Sequence, residues 1–194
     1  PSMRLDIRHV ILDRDGVLNI ERDDGYIENW SQWRWVPGAL ESLALLSSAG
    51  VSISVATNQS CVGRGILGRE ELDAIHARMI EEAAREGGIF DRIFVCPHAP
   101  MSGCGCRKPA PGMLLSALDA SRIPRHATIA LGDDLRDLEA AWAADIPAAL
   151  VRTGKGAVAE KAVACAGVPV FADLREFASA VLSNSVADAN FRPV

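Results

Sequence analysis

Two carboxylates, two residues apart, close an apolar run: Val10-Ile11-Leu12 leads into Asp13-Arg14-Asp15-Gly16-Val17. A carboxylate can attack phosphorus and form an acyl phosphate, but anion then meets anion, and a divalent cation has to offset the repulsion. The second acid has a separate task. Asp15, held protonated by its neighbours, would give a proton to the leaving alkoxide and then activate the water that cleaves the acyl phosphate. On its own the stretch also reads as an Asp-Gly turn after a strand, so the weight lies on its companions. Thr57, in Val55-Ala56-Thr57-Asn58-Gln59-Ser60, offers a hydroxyl for a phosphoryl oxygen, and Asn58, Gln59 and Ser60 offer further donors to substrate; alone, this too is a common turn composition. In Arg107-Lys108-Pro109, Lys108 supplies charge for the equatorial oxygens of a phosphoryl-transfer transition state. The planar fork of Arg107 suits a remote anionic part of the substrate. Asp133, in Gly132-Asp133-Asp134-Leu135-Arg136-Asp137, is an oxygen ligand for Mg²⁺. Asp137 braces the loop or Lys108, and Asp134 reads as a carboxylate at a helix start.

A second constellation has different donors. Cys96-Pro97-His98 and Cys104-Gly105-Cys106 place three thiolates and an imidazole within a short stretch, enough to close a tetrahedral zinc shell. With no open position the expected role is structural: the metal folds the loop and delivers Arg107-Lys108 to the site. The competing reading is a set of free thiols in a glycine-rich loop. Cys61 and Cys165 lie apart and are expected to be unpaired. The odd count of five cysteines does not fit a secreted disulfide scaffold.

These residues need strand ends to converge. His9–Leu12, Val51–Ala56, Ile93–Cys96, Thr128–Leu131, Ala149–Arg152 and Val168–Phe171 read as strands, alternating with helical patterns at Arg69–Glu86, after Pro111-Gly112, at Leu135–Trp142 and at Leu174–Leu182. Such alternation predicts an α/β fold, a Rossmann-like doubly wound parallel sheet, with ligands bound beyond the strand ends. Leu72, Ile75, Met79, Ile80 and Ala83 mark the inward face of the helix at Arg69–Glu86. The short spacings from Asp15 to Thr57 and from Thr57 to Lys108 leave no room for a large cap domain. The chain reads as one domain over residues 4–183, with 184–194 as a loose tail. Trp30, Trp33 and Trp35 form either a lid over a sugar face or core packing under a loop.

With 194 residues, 49% of them hydrophobic, the chain supports one core. A net charge of −5 offers no basic surface for nucleic acid, and no apolar run is long enough to span a bilayer. A cytoplasmic monomer acting on a small molecule is the expectation.

The order Asp-x-Asp-Gly, Thr, Lys, Gly-Asp-Asp resembles the haloacid dehalogenase superfamily of phosphohydrolases. The resemblance implies Asp13 as nucleophile, Asp15 as acid/base, and Mg²⁺ on Asp13, the Asp15 carbonyl and Asp133. The zinc loop running into Cys106-Arg107-Lys108-Pro109, with Thr57-Asn58-Gln59-Ser60, Gly63-Arg64-Gly65 and Val151-Arg152-Thr153-Gly154, resembles the D-glycero-D-manno-heptose 1,7-bisphosphate 7-phosphatase family, which is related to histidinol phosphatases. That implies removal of the C7 phosphate of a small phosphorylated sugar, with Arg64 and Arg107 holding the phosphate that stays. Histidinol phosphate is the alternative substrate. A phosphoaspartate receiver and a polynucleotide phosphatase are further alternatives, disfavoured respectively by Asp15 with the zinc loop and by the net charge.

Overall fold

The computed structural model of the chain describes residues 4–162, 165 and 167–187. Six strands, β1 (His9–Leu12), β2 (Ser52–Asn58), β3 (Arg92–Cys96), β4 (Thr128–Gly132), β5 (Ala148–Val151) and β6 (Val170–Phe171), form one sheet in the order β3-β2-β1-β4-β5-β6. Every pairing is parallel. Among the described residues six α-helices accompany it: α1 (Ala39–Ser48), α2 (Arg69–Arg85), α3 (Gly112–Ser121), α4 (Leu135–Ala143), α5 (Gly156–Ala159) and α6 (Leu174–Leu182).

Side chains alternate across a sheet covered on both faces. Val10 and Leu12 of β1, with Ile53 and Val55 of β2, pack on one side with α1, α2 and α6. Ile11 and Ala56 turn to the other, against Met113, Leu114 and Ala117 of α3 and Leu138 and Ala141 of α4. This is the three-layer, doubly wound arrangement that the alternating pattern predicts. Strand β1 is central, and the order reverses between it and β4, so a crevice opens past their carboxyl ends. Asp13 and Asp133 stand at those two ends.

Three details differ from the sequence reading. Strand β2 runs on through Thr57 and Asn58, which pair with Val95 and Cys96 of β3; polar residues end a hydrophobic pattern without ending a ladder. On α2 the buried stripe includes His76, 5% exposed, whereas Ile80 is 42% exposed, so the inward face is turned toward the histidine. The segment expected as a loose tail begins docked: Val186 is buried, and its carbonyl accepts from the Leu5 N–H at 3.2 Å. The remainder of that tail, 188–194, lies outside the described residues. None of the connections among the described residues folds as a cap domain, and none of the helices is long and apolar enough to cross a membrane.

Candidate active site

The strand ends bring Asp13, Asp133 and Asp137 together, with one carboxylate oxygen of each within 4.8 Å of the others. Asp133 is held by its surroundings. Its Oδ2 accepts from the Lys155 N–H at 2.9 Å, and it lies against Gly16 (φ +82°) and Gly154 (φ +58°), where a Cβ on either would run into that oxygen. Both turns therefore need glycine for backbone conformation and for space. Thr153 Oγ1 donates to the Gly16 carbonyl at 2.6 Å, tying the two turns together. Asp137 is the third residue of α4 and completes a capping box with Asp134. Asp134 is thus a helix cap, and its Oδ2 also pairs with Arg136 at 2.9 Å.

Lys108 is the cation inside this cluster, 4% exposed. Its Nζ donates to Asp13 Oδ1 at 3.0 Å, to Asp137 Oδ1 at 2.6 Å and to the Ala56 carbonyl at 2.7 Å. Burial pulls its pKa down, but Asp13 and Asp137 beside it win and hold it above the usual lysine range. Asp13 is shifted well above the ordinary carboxylate range, first by burial and then by repulsion from Asp137, with Lys108 opposing. Asp133 is raised too, by burial and then by Asp13 and Asp137. One lysine does not neutralise three crowded carboxylates, two of them buried. The surplus negative charge and the all-oxygen donor set fit a hard divalent cation such as Mg²⁺.

Asp15 faces opposite conditions. Arg14 Nη2 donates to its Oδ1 at 2.9 Å, Asn19 Nδ2 to the same oxygen at 3.0 Å, and Gln59 Nε2 to its Oδ2 at 2.7 Å. Burial alone would raise its pKa, yet Arg14 and the two amides overcome that and lower it. The expectation that its neighbours hold Asp15 protonated is overturned: all three are donors, and donors favour the carboxylate.

The four zinc-type donors also converge. Cys96 Sγ is 3.7 Å from Cys104 Sγ and 3.5 Å from His98 Nδ1, which is 3.2 Å from Cys106 Sγ. Two thiolates of a tetrahedral shell with Zn–S near 2.3 Å are separated by about 3.8 Å, so the spacing fits zinc. All five cysteines are free of disulfides. The loop is anchored on the chain that follows β2: the Gly63 N–H donates to the Pro97 carbonyl at 2.7 Å and the Gln59 N–H to the Cys96 carbonyl at 2.8 Å. Just past Cys106, Asn58 grips Lys108, accepting its N–H and donating to its carbonyl, both at 3.0 Å.

Asp13, Asp133 and Lys108 open onto a cavity of about 980 Å³, with Arg64 and Arg107 on its wall. The other cations there are committed: Arg22 to Asp24, Arg136 to Asp134, Lys155 to Glu21, and Lys108 to Asp13 and Asp137. Among the described residues Arg64 and Arg107 have no ion-pair partner, and Arg107 Nη1 is buried with no hydrogen bond at all.

A family model described as HAD-hydrolase-like matches residues 105–177. The crystal structure of D,D-heptose 1,7-bisphosphate phosphatase from Bordetella bronchiseptica, complexed with magnesium and phosphate, superposes with a TM-score of 0.86 at 38% identity, covering 91% of this chain and 99% of that one. D-glycero-alpha-D-manno-heptose-1,7-bisphosphate 7-phosphatase of Mycobacterium tuberculosis is 36% identical over 185 residues, 94% of this chain and 85% of that protein. D-glycero-beta-D-manno-heptose-1,7-bisphosphate 7-phosphatase of Pseudomonas aeruginosa is 43% identical over 173 residues, 89% of this chain and 97% of that protein. The chain belongs to the heptose-1,7-bisphosphate 7-phosphatase family. It is a phosphatase of the HAD-like hydrolase type.

Against that family membership, the residues singled out in the sequence sort into three groups. Asp13, Asp15, Asp133, Lys108, Asn58, Ser60, Arg64 and Arg107 all reach the cavity. Thr57 and Gln59 do not: Thr57 has no exposed surface, and Gln59 is buried and spends its amide on Asp15 and on Thr57 Oγ1 at 2.9 Å. Gln59 is therefore a brace for Asp15 rather than a substrate contact. The tryptophans resolve as core packing. Trp33 is buried, stacks on Trp30 with centroids 5.0 Å apart and meets Trp35 edge-on at 5.1 Å; none of the three lines the cavity. Sequence reasoning missed Tyr26, Arg136 and Lys155 on the cavity wall, since isolated residues in loops or at a helix start carry no pattern.

Proposed function

We propose that this enzyme hydrolyses the C7 phosphate of D-glycero-D-manno-heptose 1,7-bisphosphate. The observation that carries the reading is the pair of uncommitted arginines, Arg64 and Arg107, in the same cavity as Asp13. A bisphosphate presents one phosphate to the nucleophile and needs a cationic seat for the other. Histidinol phosphate has a cationic amine in that place, and two unpaired guanidiniums would repel it.

In this reading Asp13 Oδ2 attacks phosphorus, since Oδ1 is engaged by Lys108 and by the Arg14 N–H. Lys108 takes the charge spreading over the phosphoryl oxygens. Asp13, Asp133 and the Asp15 carbonyl would hold Mg²⁺, which supplies neutralisation of the two anions that must approach. Asp15 is ionised at rest. The bound phosphate's negative charge opposes the effect of Arg14 and raises its proton affinity, so that it takes up a proton from solvent, gives it to the leaving alkoxide and then, ionised again, takes one from the attacking water. The four-donor loop would hold zinc and keep Arg107 and Lys108 in place. We take the working unit to be a cytoplasmic monomer, its domain running from residue 4 through the docked Val186.

The test is phosphate release with Mg²⁺ from both anomers of the heptose bisphosphate, from histidinol phosphate and from fructose 1,6-bisphosphate. A preference of about 100-fold or more in kcat/KM for a heptose anomer is expected, lost on Arg64→Ala and Arg107→Ala through KM. Preference for histidinol phosphate would overturn the substrate assignment.

A further inference from the structure

Off the cavity wall, two residues with no part in the chemistry so far, His76 and Trp33, meet the Arg14 guanidinium that holds Asp15. Arg14 is 1% exposed. Its Nη2 holds Asp15 Oδ1, its Nη1 meets His76 Nε2 at 3.0 Å, and its Cζ lies 5.6 Å from the centroid of the Trp33 ring. The remaining nitrogen, Nε, is buried without a partner. Burying a guanidinium is costly unless its donors are met. Here Nη2 and Nη1 are met by one carboxylate and one imidazole, and an aromatic face lies alongside, all brought from three separate stretches of chain.

His76 is on α2, facing inward. Burial, reinforced by the charge of Arg14, lowers its pKa to about 3. It is therefore neutral, its Nε2 lone pair accepts the Arg14 proton, and its own proton sits on Nδ1. On Asp15, Oδ1 takes two donors, Arg14 and Asn19, whereas Oδ2 takes only Gln59. Oδ1 is thus the anchored oxygen, and Oδ2 keeps a lone pair for a proton.

We propose that His76, backed by Trp33, is a positioning residue for the acid/base: by fixing the Arg14 guanidinium it fixes Asp15 Oδ1 and so aims Oδ2 at the leaving-group oxygen. The inference rests on the reading of Asp15 as acid/base. It does not depend on which sugar is the substrate.

The experiment compares kcat/KM, which covers the steps up to loss of the alcohol or phenol, for phenyl phosphate and p-nitrophenyl phosphate. Nitrophenolate leaves without a proton, and phenolate needs help. Asp15→Asn sets the benchmark, an expected loss of about 100-fold on phenyl phosphate with a much smaller loss on the nitrophenyl ester. His76→Asn puts its amide near the old Nδ1 position and leaves Arg14 Nη1 unmet; it should lower kcat/KM about tenfold on phenyl phosphate and less than about twofold on the nitrophenyl ester. His76→Gln, whose amide reaches the Nε2 position, should return phenyl phosphate turnover to within about twofold of the parent. The two polar variants are matched for folding by circular dichroism melts. Equal losses on both esters in His76→Asn, no loss on either, or failure of His76→Gln to rescue would overturn the inference. If Asp15→Asn itself showed no leaving-group dependence, the acid/base reading would fall first and take the inference with it.

Discussion

The two donor clusters are built in opposite ways. The thiolate and imidazole donors come from one stretch, Cys96 to Cys106, whereas the carboxylates come from residues 13, 133 and 137 and meet only because β1 and β4 are adjacent. A local cluster organises the loop that carries it, so its metal acts on stability. A dispersed cluster depends on the whole sheet, and its crowded, buried carboxylates are a strain on the fold until a cation arrives. The first should matter most to folding and the second most to turnover.

The largest expected effect comes from breaking the dispersed cluster. Asp13→Asn should reduce phosphate release by at least ~10⁴-fold, because the amide cannot form the acyl phosphate. Zinc content should stay at the parental level. Thermal stability without Mg²⁺ should hold or rise, since one of three repelling carboxylates is gone while Lys108 keeps Asp137 and the Ala56 carbonyl. A clear fall in stability would mean that the carboxylates support the fold rather than burden it.

Breaking the local cluster should reverse the balance. Cys104→Ser should cost about 2–4 kcal/mol, a fall in Tm of roughly 4–16 °C in a chain of this size. Turnover should fall only about tenfold, through displacement of Lys108, which lies two residues past Cys106. Metal content by atomic absorption, melting by circular dichroism and phosphate release would be read on the same sample. Loss of zinc with unchanged melting would show that the contacts of Gly63 and Gln59 hold the loop without the metal.

The same contrast explains what was legible in the sequence. The zinc donors declared themselves by spacing, since their geometry is local. Asp13 and Asp133 were readable because each follows an apolar strand run, and a parallel sheet brings such ends to one edge; Lys108 was readable from its order after the first two motifs. The helix α1 and the short α5 were not assigned individually, and β2 was cut short at its polar end. What failed was the second layer. Gln59 looked like a substrate donor because nothing local says that its amide turns inward to Asp15. Arg14 gave no sign of being buried, as charge argues for the surface. His76 did leave a trace: it stands four residues after Leu72, and Ile80 was placed on the inward face where the histidine shares the buried stripe instead.

The smallest effect sharpens the comparison, because it separates the carboxylates from everything else that titrates. Without Mg²⁺, burial and mutual repulsion raise Asp13 to about 7 and Asp133 to about 8. Groups whose folded pKa is raised bind protons that the unfolded chain has already released, so their contribution is fully present below about pH 4 and is lost as pH rises through 7 and 8. His9 and His76 run the other way. Burial depresses them to about 4 and about 3, so their contribution is full above about pH 6.5 and is lost as pH falls toward those values. Both histidines, the thiols and the lowered Asp15 contribute alike with or without Mg²⁺, and they cancel in the difference. A cation bound by Asp13 and Asp133 must displace their protons at pH 5, whereas by pH 8 the Asp13 proton is largely released and the Asp133 proton about half released. The stabilisation by saturating Mg²⁺, read from urea midpoints, should therefore be about 1–3 kcal/mol larger at pH 8 than at pH 5. Equal stabilisation at both pH values would mean that Mg²⁺ does not sit on the raised carboxylates, and the division of labour between the two clusters would have to be redrawn.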